Sequence, residues 1–140
     1  MTSDKLSVVV FSGDFERVHY ALAMAAAAAA LGKAATLLFT GPAVHALATA
    51  TDGEEPGWRA LRSGDGRSGS QVDADHRGRG VAGFEELLAA CAELGVRLIA
   101  CEMGMRTAGL DRAALRVDIV VEEAGLATFL ADASAGITFV

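Results

Sequence analysis

The residues best placed to do chemistry are a cysteine and its followers. Val96-Arg97-Leu98-Ile99-Ala100-Cys101 is a largely apolar run that ends on a thiol and continues as Glu102-Met103-Gly104-Met105. The run follows a glycine and is too short for a buried helix, so it reads as a strand covered on both faces, with Cys101 at its carboxyl end. In open α/β sheets loops and helix N-termini converge on that edge and leave a crevice. The turn through Met103 and Gly104 is expected to lead into a helix, whose first N–H groups favour a thiolate over the thiol. Glu102 opposes this if its carboxylate points inward, and Arg106, about one turn on, assists it. The other reading of Cys101 is a buried cysteine acting as a small hydrophobe. Cys91, on the apolar face of its own helix, is read as core.

Histidine is the natural partner for a reactive thiol. His19 is expected near the start of the first helix, at the same sheet edge as Cys101. Its alternative role is a hydrogen bond in the sheet–helix interface or at a subunit contact. His45 and Tyr20 carry weaker versions of the same suggestion, and Gly13, in the turn after the first strand, is expected in the pocket with Met103 and Gly104. His76 lies beside Asp73 and Asp75, a metal cluster in composition only; a solvated charged loop is the simpler account, and no metal site is expected. Gly64-Asp65-Gly66-Arg67-Ser68-Gly69 spells GxGxxG, but no strand is expected before it and no helix after it. Cys101 to Arg106 is C-x4-R, one residue short of the phosphate cradle of cysteine phosphatases. There is no C-x-x-C and no Walker loop.

The elements that must hold these residues alternate along the chain. Leu6 to Phe11 is a first strand, followed by a turn in which Asp14 is placed to cap a helix. Phe15, Val18, Leu22, Ala25, Ala26 and Ala29 fall at helical spacing, and Gly32 ends that helix. The consecutive alanines Ala25 to Ala30 favour helix and present a thin surface for packing. Ala35 to Thr40 is a second strand, and Gly41-Pro42 opens a short helix with Val44, Leu47 and Ala48 on its apolar face. Residues 51–80 contain seven glycines, six acids and five arginines and read as one long loop, anchored as a turn at Trp58 to Leu61 and mobile from Ser63 to Gly80. Phe84, Leu87, Leu88, Cys91 and Leu94 make one helical face. After the Cys101 strand and a short segment, Val117 to Val121 is expected as a fourth strand. Ala124 to Ala133 is a last helix with Leu126, Phe129 and Leu130 inward, and Ile137 to Val140 a fifth strand. The pattern is α/β: a single domain, a three-layer α/β/α sandwich with a mostly parallel five-stranded sheet.

Whole-chain properties narrow the function classes. The 140 residues suffice for one core, and a net charge of −6 argues against nucleic acid as the main partner. Two cysteines without a disulfide pattern, and no signal peptide at the N-terminus, fit a reducing cytoplasm. The longest apolar run, Ala21 to Gly32, falls short of the ~18 residues of a membrane span, so a soluble protein is expected.

Three segments together carry a family resemblance: Ser12-Gly13-Asp14 before a small-residue helix, Gly32-Lys33-Ala34-Ala35-Thr36-Leu37-Leu38-Phe39-Thr40, and Cys101-Glu102-Met103-Gly104-Met105. They resemble the DsrE/DsrF-like family of small sulfur-relay proteins over most of residues 6–50 and 81–140. The cysteine with methionines two and four residues later is similar to the C-x-M-x-M segment of one branch of that family, with Gly104 where serine is common. The resemblance implies that Cys101 carries sulfur as a persulfide; on that hypothesis the N–H groups around Met103 and Gly104 stabilise its anion, and the 51–80 loop gates access or docks a partner. It further implies a protein sulfur donor or acceptor, a homo-oligomer (trimer or hexamer) and no cofactor. The rival reading is a non-catalytic, oligomeric module binding a small ligand or nucleotide, with Cys101 lining its crevice.

Overall fold

The computed structural model describes residues 5–49, 55–133 and 136–140. Five parallel strands form one sheet: β1 (Leu6–Val10), β2 (Ala35–Phe39), β3 (Arg97–Cys101), β4 (Glu122–Ala124) and β5 (Ile137–Phe139), in the order β4-β3-β2-β1-β5. The helices are α1 (Phe15–Ala30), α2 (Gly69–Gly78), α3 (Phe84–Glu93), α4 (Glu102–Ala108) and α5 (Leu126–Asp132). The expected α/β sandwich is therefore present, with every strand pair parallel. β3 lies inside the sheet, flanked by β2 and β4, while β2 is the middle strand. No helix among the described residues is long and apolar enough to cross a membrane.

Register divides the core in two. Val8, Leu37 and Leu98 are cross-strand neighbours facing one side, and Val9, Leu38 and Ile99, one residue on, face the other. The first side carries the larger cluster, with Phe15, Val18 and Leu22 of α1 and Phe84, Leu88 and Cys91 of α3. On the second side the buried cluster is Val9, Leu38, Ile99 and Cys101 beneath Phe129 of α5. Crossover direction explains the imbalance. The chain moves one way from β1 to β4 and reverses once to reach β5, so right-handed connections place α1 and α3 together and α5 opposite.

Local signals act where they stand. The Asp14 side chain accepts hydrogen bonds from the Glu16 and Arg17 N–H groups at the start of α1. Cys91 is core: its sulfur donates to the Leu22 carbonyl at 3.4 Å, and burial pushes its thiol up to about 11.

Three expectations are corrected. Of the expected 51–80 loop, residues 51–54 lie outside the described residues, and the remainder is not one loop. Trp58 is buried in a short 3-10 turn (Gly57–Ala60), as expected of that anchor, but Gly69–Gly78 is helix α2. It starts with a capping box in which the Ser68 hydroxyl and the Gln71 side chain satisfy each other's backbone N–H groups. A helix therefore does follow the GxGxxG spelling, although the element directly before it is the 3-10 turn Gly57–Ala60 and not a strand. Next, Val117–Val121 is not a strand: Val117 is 96% and Val120 83% exposed, and β4 begins at Glu122. The buried Arg116 guanidinium grips Asp118 and, bidentately, Glu85 of α3 at 2.6 and 2.7 Å. This holds the chain over the first face until Glu122, paired bidentately with Arg97, sets the edge-strand register. Finally, α5 turns only Phe129 inward; Leu126 and Leu130 are exposed because one short helix meets the sheet through a single turn.

Glu85 also accepts from the Trp58 indole N–H at 2.6 Å, and Arg116 above all, with Trp58, holds its carboxyl below the ordinary value of 4.5. A depressed folded-state pKa contributes stability above the unfolded value and loses it as pH falls through the folded one. The thermal midpoint of the native protein should therefore fall on acidification below pH 4.5. In Glu85→Gln the midpoint is lower at neutral pH and its acid decline shallower; an equally steep decline in the variant refutes this role.

Candidate functional site

Side chains alternate along β3, so Leu98 and Ala100 face the first side while Ile99 and Cys101 face the second. Cys101 is the last residue of the strand and the residue before α4, with extended backbone (φ −72°, ψ 130°). Its side chain is 1% exposed and packs under Phe129. In this conformation its sulfur caps none of the α4 N–H groups. Cys101 pairs in register with Ala124, and Gly125 follows as the N-cap of α5. From these neighbouring strand ends α4 turns to the first face, burying Met105, while α5 turns to the second, burying Phe129. Adjacent strands whose connections leave to opposite faces define the topological switch point of an open α/β sheet. Cys101 sits on it.

The other expected site residues divide. Met103, 60% exposed, and Gly104 line a crevice of about 440 Å³ at the carboxyl ends of β1 to β3, with Phe11, Thr40, Gly41 and His45. Cys101 does not line it. Gly104 lets α4 come close: a Cβ there would lie 2.9 Å from the Gly41 nitrogen and 2.9 Å from Val44 Cγ1. Gly41, at φ +55°, lies under the Phe11 ring, 2.6 Å from the position of a Cβ. Gly13 is beside Pro42, on the rim of a second, larger cleft.

His19 is not brought to Cys101. It is buried on the first face, where its Nε2–H donates to the Ala82 carbonyl at 2.9 Å. Ala82 precedes α3, so this bond ties α1 to the start of a neighbouring helix and not, as the alternative reading had it, to the sheet. His76 is likewise not in a solvated loop: it lies in α2 with its ring 4.7 Å from that of His19, while Asp73 is buried and accepts from the Phe84 N–H at 2.7 Å. Tyr20 is exposed on α1.

Two groups at the site escaped sequence reasoning. Phe129 was legible as apolar but not as the cover of Cys101. Gly125 marks the start of α5 beside Glu102, whose Oε1 would lie 3.2 Å from a Cβ at Gly125. Its signal was the glycine between two apolar segments.

The sequence model of the DsrE/DsrF/DrsH-like family matches residues 68–138. That is just over half of the chain, and the protein belongs to this family. The matched region contains Cys101 and begins at Ser68, inside the stretch that the motif resemblance left uncovered. A search of curated proteins gave no match. Among solved structures, the protein of unknown function MTH1491 from Methanobacterium thermoautotrophicum is similar, with a TM-score of 0.59 and 14% identity over 97% of this chain and 96% of that one. At that identity the likeness is one of fold.

The close approach of α4 to Gly41 gives a direct test. Gly104→Ser should lower stability by about 1–3 kcal/mol through overpacking. Chemical denaturation measures the loss, and an unchanged midpoint refutes the close packing.

Proposed function

We propose that this protein is a sulfur-relay protein that carries sulfane sulfur on Cys101. Family membership supports the reading, and the observation that carries it is the place of Cys101 at the switch point, between the diverging starts of α4 and α5. The Cys101 thiolate attacks the outer sulfur of a donor persulfide. A new S–S bond forms, the donor's S–S bond breaks, and the donor leaves as a thiolate; sulfur moves without net oxidation. Transfer to an acceptor repeats the exchange.

Burial of Cys101 under Phe129 supports a further step in the proposal. Cys101 reacts only when α5 lifts or the side chain turns away from Phe129. Turning toward the α4 N–H groups of Met103 and Gly104 stabilises the anion. Between transfers the closed state shields a persulfide from oxidants. The partner is a protein donor or acceptor, and the setting a reducing cytoplasm. Homo-oligomer formation, as a trimer or hexamer, is part of the proposal; exposed Val117, Val120 and Phe139 support it as apolar surface left on one protomer.

A second reading is favoured by the 440 Å³ crevice, which is within the range of small-ligand sites and which Cys101 does not enter. On that reading the crevice binds a small ligand and Cys101 is core.

Intact-mass measurement after incubation with a sulfane-sulfur donor separates the two. Native protein should gain the mass of one or more sulfur atoms and lose it on reduction, whereas Cys101→Ser gains none. No gain by a folded, reduced native protein overturns the carrier reading and favours the ligand crevice.

The cover is tested separately. Truncating a buried phenylalanine weakens packing by several kcal/mol, so Phe129→Ala should speed thiol labelling of Cys101 by about tenfold or more. Equal rates in folded native and variant protein overturn the gating role.

A further inference from the structure

The larger cleft, of about 800 Å³, lies beside the crevice and shares Pro42 and His45 with it. Its apolar wall includes Pro56, Ala60, Leu61 and Leu110, and its polar lining includes Arg59 and Arg62. Pairing sets these two apart from most other arginines of the chain. Arg67, Arg77, Arg79, Arg97, Arg112 and Arg116 each form ion pairs with carboxylates. Arg59 and Arg62 form none among the described residues; Arg17 and Arg106, which also form none there, lie outside the cleft. Each uses one N–H on a neutral acceptor: Arg59 donates to the Ser70 hydroxyl at 3.1 Å and lies over the Trp58 ring, and Arg62 donates to the Gly66 carbonyl at 3.2 Å.

A guanidinium offers five N–H donors in a planar fork and stays charged. Holding each by one neutral bond orients it, and no described carboxylate forms an ion pair with it. Two such groups in one cleft, in a chain of net charge −6, form a local exception to the acidic surface. Glu55 also lines the cleft but pairs with neither guanidinium; His45 adds a hydrogen-bonding imidazole. A single carboxylate would engage one guanidinium. A phosphate, with two charges and three free oxygens, engages both. The volume exceeds what a bare phosphate fills, and the apolar wall suits an organic body.

We propose that this cleft binds a small organic phosphate, with Arg59 and Arg62 on the phosphoryl group and the Pro42–Leu110 wall against its body. The site is separate from Cys101 and independent of sulfur carriage.

The test is calorimetric titration of the full chain with adenosine 5′-monophosphate, ribose 5-phosphate and adenosine. Both phosphates should bind saturably, adenosine should not, and added salt should weaken binding. The double variant Arg59→Gln/Arg62→Gln should lose affinity by on the order of tenfold or more. Arg17→Gln, an exposed arginine on α1 outside the cleft, and Cys101→Ser should bind as the native protein does. Absence of phosphate binding by the native protein, adenosine binding as tight as its phosphate, or full affinity in the double variant overturns the proposal. The comparison of adenosine with its phosphate needs no variant, so the test stands even if the double variant does not fold.

Discussion

A β-strand shows alternate residues to opposite faces, and on β3 that parity governs what Cys101 meets. Ala100 ends the row packed under α1 and α3, so Cys101 belongs to the row under α5. One residue more or less in β3 would place the thiol on the first face, near the layer that holds His19. The arrangement of the carboxyl edge follows from this parity together with the reversal of the chain after β4. One helix start lies on each side of the cysteine, and neither the thiol's cover nor its distance from the crevice is adjustable without moving the other.

The charged groups at the opposite edge support the same arrangement. Arg97, at the amino end of β3, binds Glu122 of the edge strand and Asp132 at the end of α5, and Lys5 also reaches Asp132. Arg97 holds the Glu122 carboxyl below its ordinary range. The short edge strand and the short helix are thus tied to the sheet by one guanidinium, where apolar area alone is small. These pairs are largely exposed and individually weak; their value is in register, since they fix which residue of β4 stands beside Cys101.

How much of this was legible depends on whether the signal was local. β1, α1, β2, α3 and β3 follow from apolar periodicity and end signals: Asp14 before α1, and Gly32 and Gly95 after α1 and α3, both at φ +83°. The position of Cys101 at a strand end was legible for the same reason. Helix α2 was hidden because it buries little beyond Val72 and Asp73, so it has no apolar stripe; its capping box, Ser68 with Gln71, was the readable sign. The fourth strand was misplaced because apolar residues at Val117 and Val120 stay at the surface while a charged pair, Glu122 and Glu123, enters the sheet. That outcome rests on Arg116 meeting Glu85, 31 positions apart in sequence, and no window-based pattern contains it. The separation of His19 from Cys101 was invisible for a related reason: both are at the expected edge, but the face of each depends on parity and crossover direction together.

The sandwich is also unequal in thickness, and this has an energetic meaning. On the first side α1, α2 and α3 contribute large buried residues such as Phe15, Val72 and Phe84, whereas α5 contributes one buried side chain. A segment held by so little buried surface opens at a free energy well below that of global unfolding. Helix α5 is thus the part of the molecule whose excursions leave the remaining fold intact. Its amide protons are therefore expected to exchange through subglobal opening, and any partner that binds the opened form draws on that equilibrium rather than on global stability.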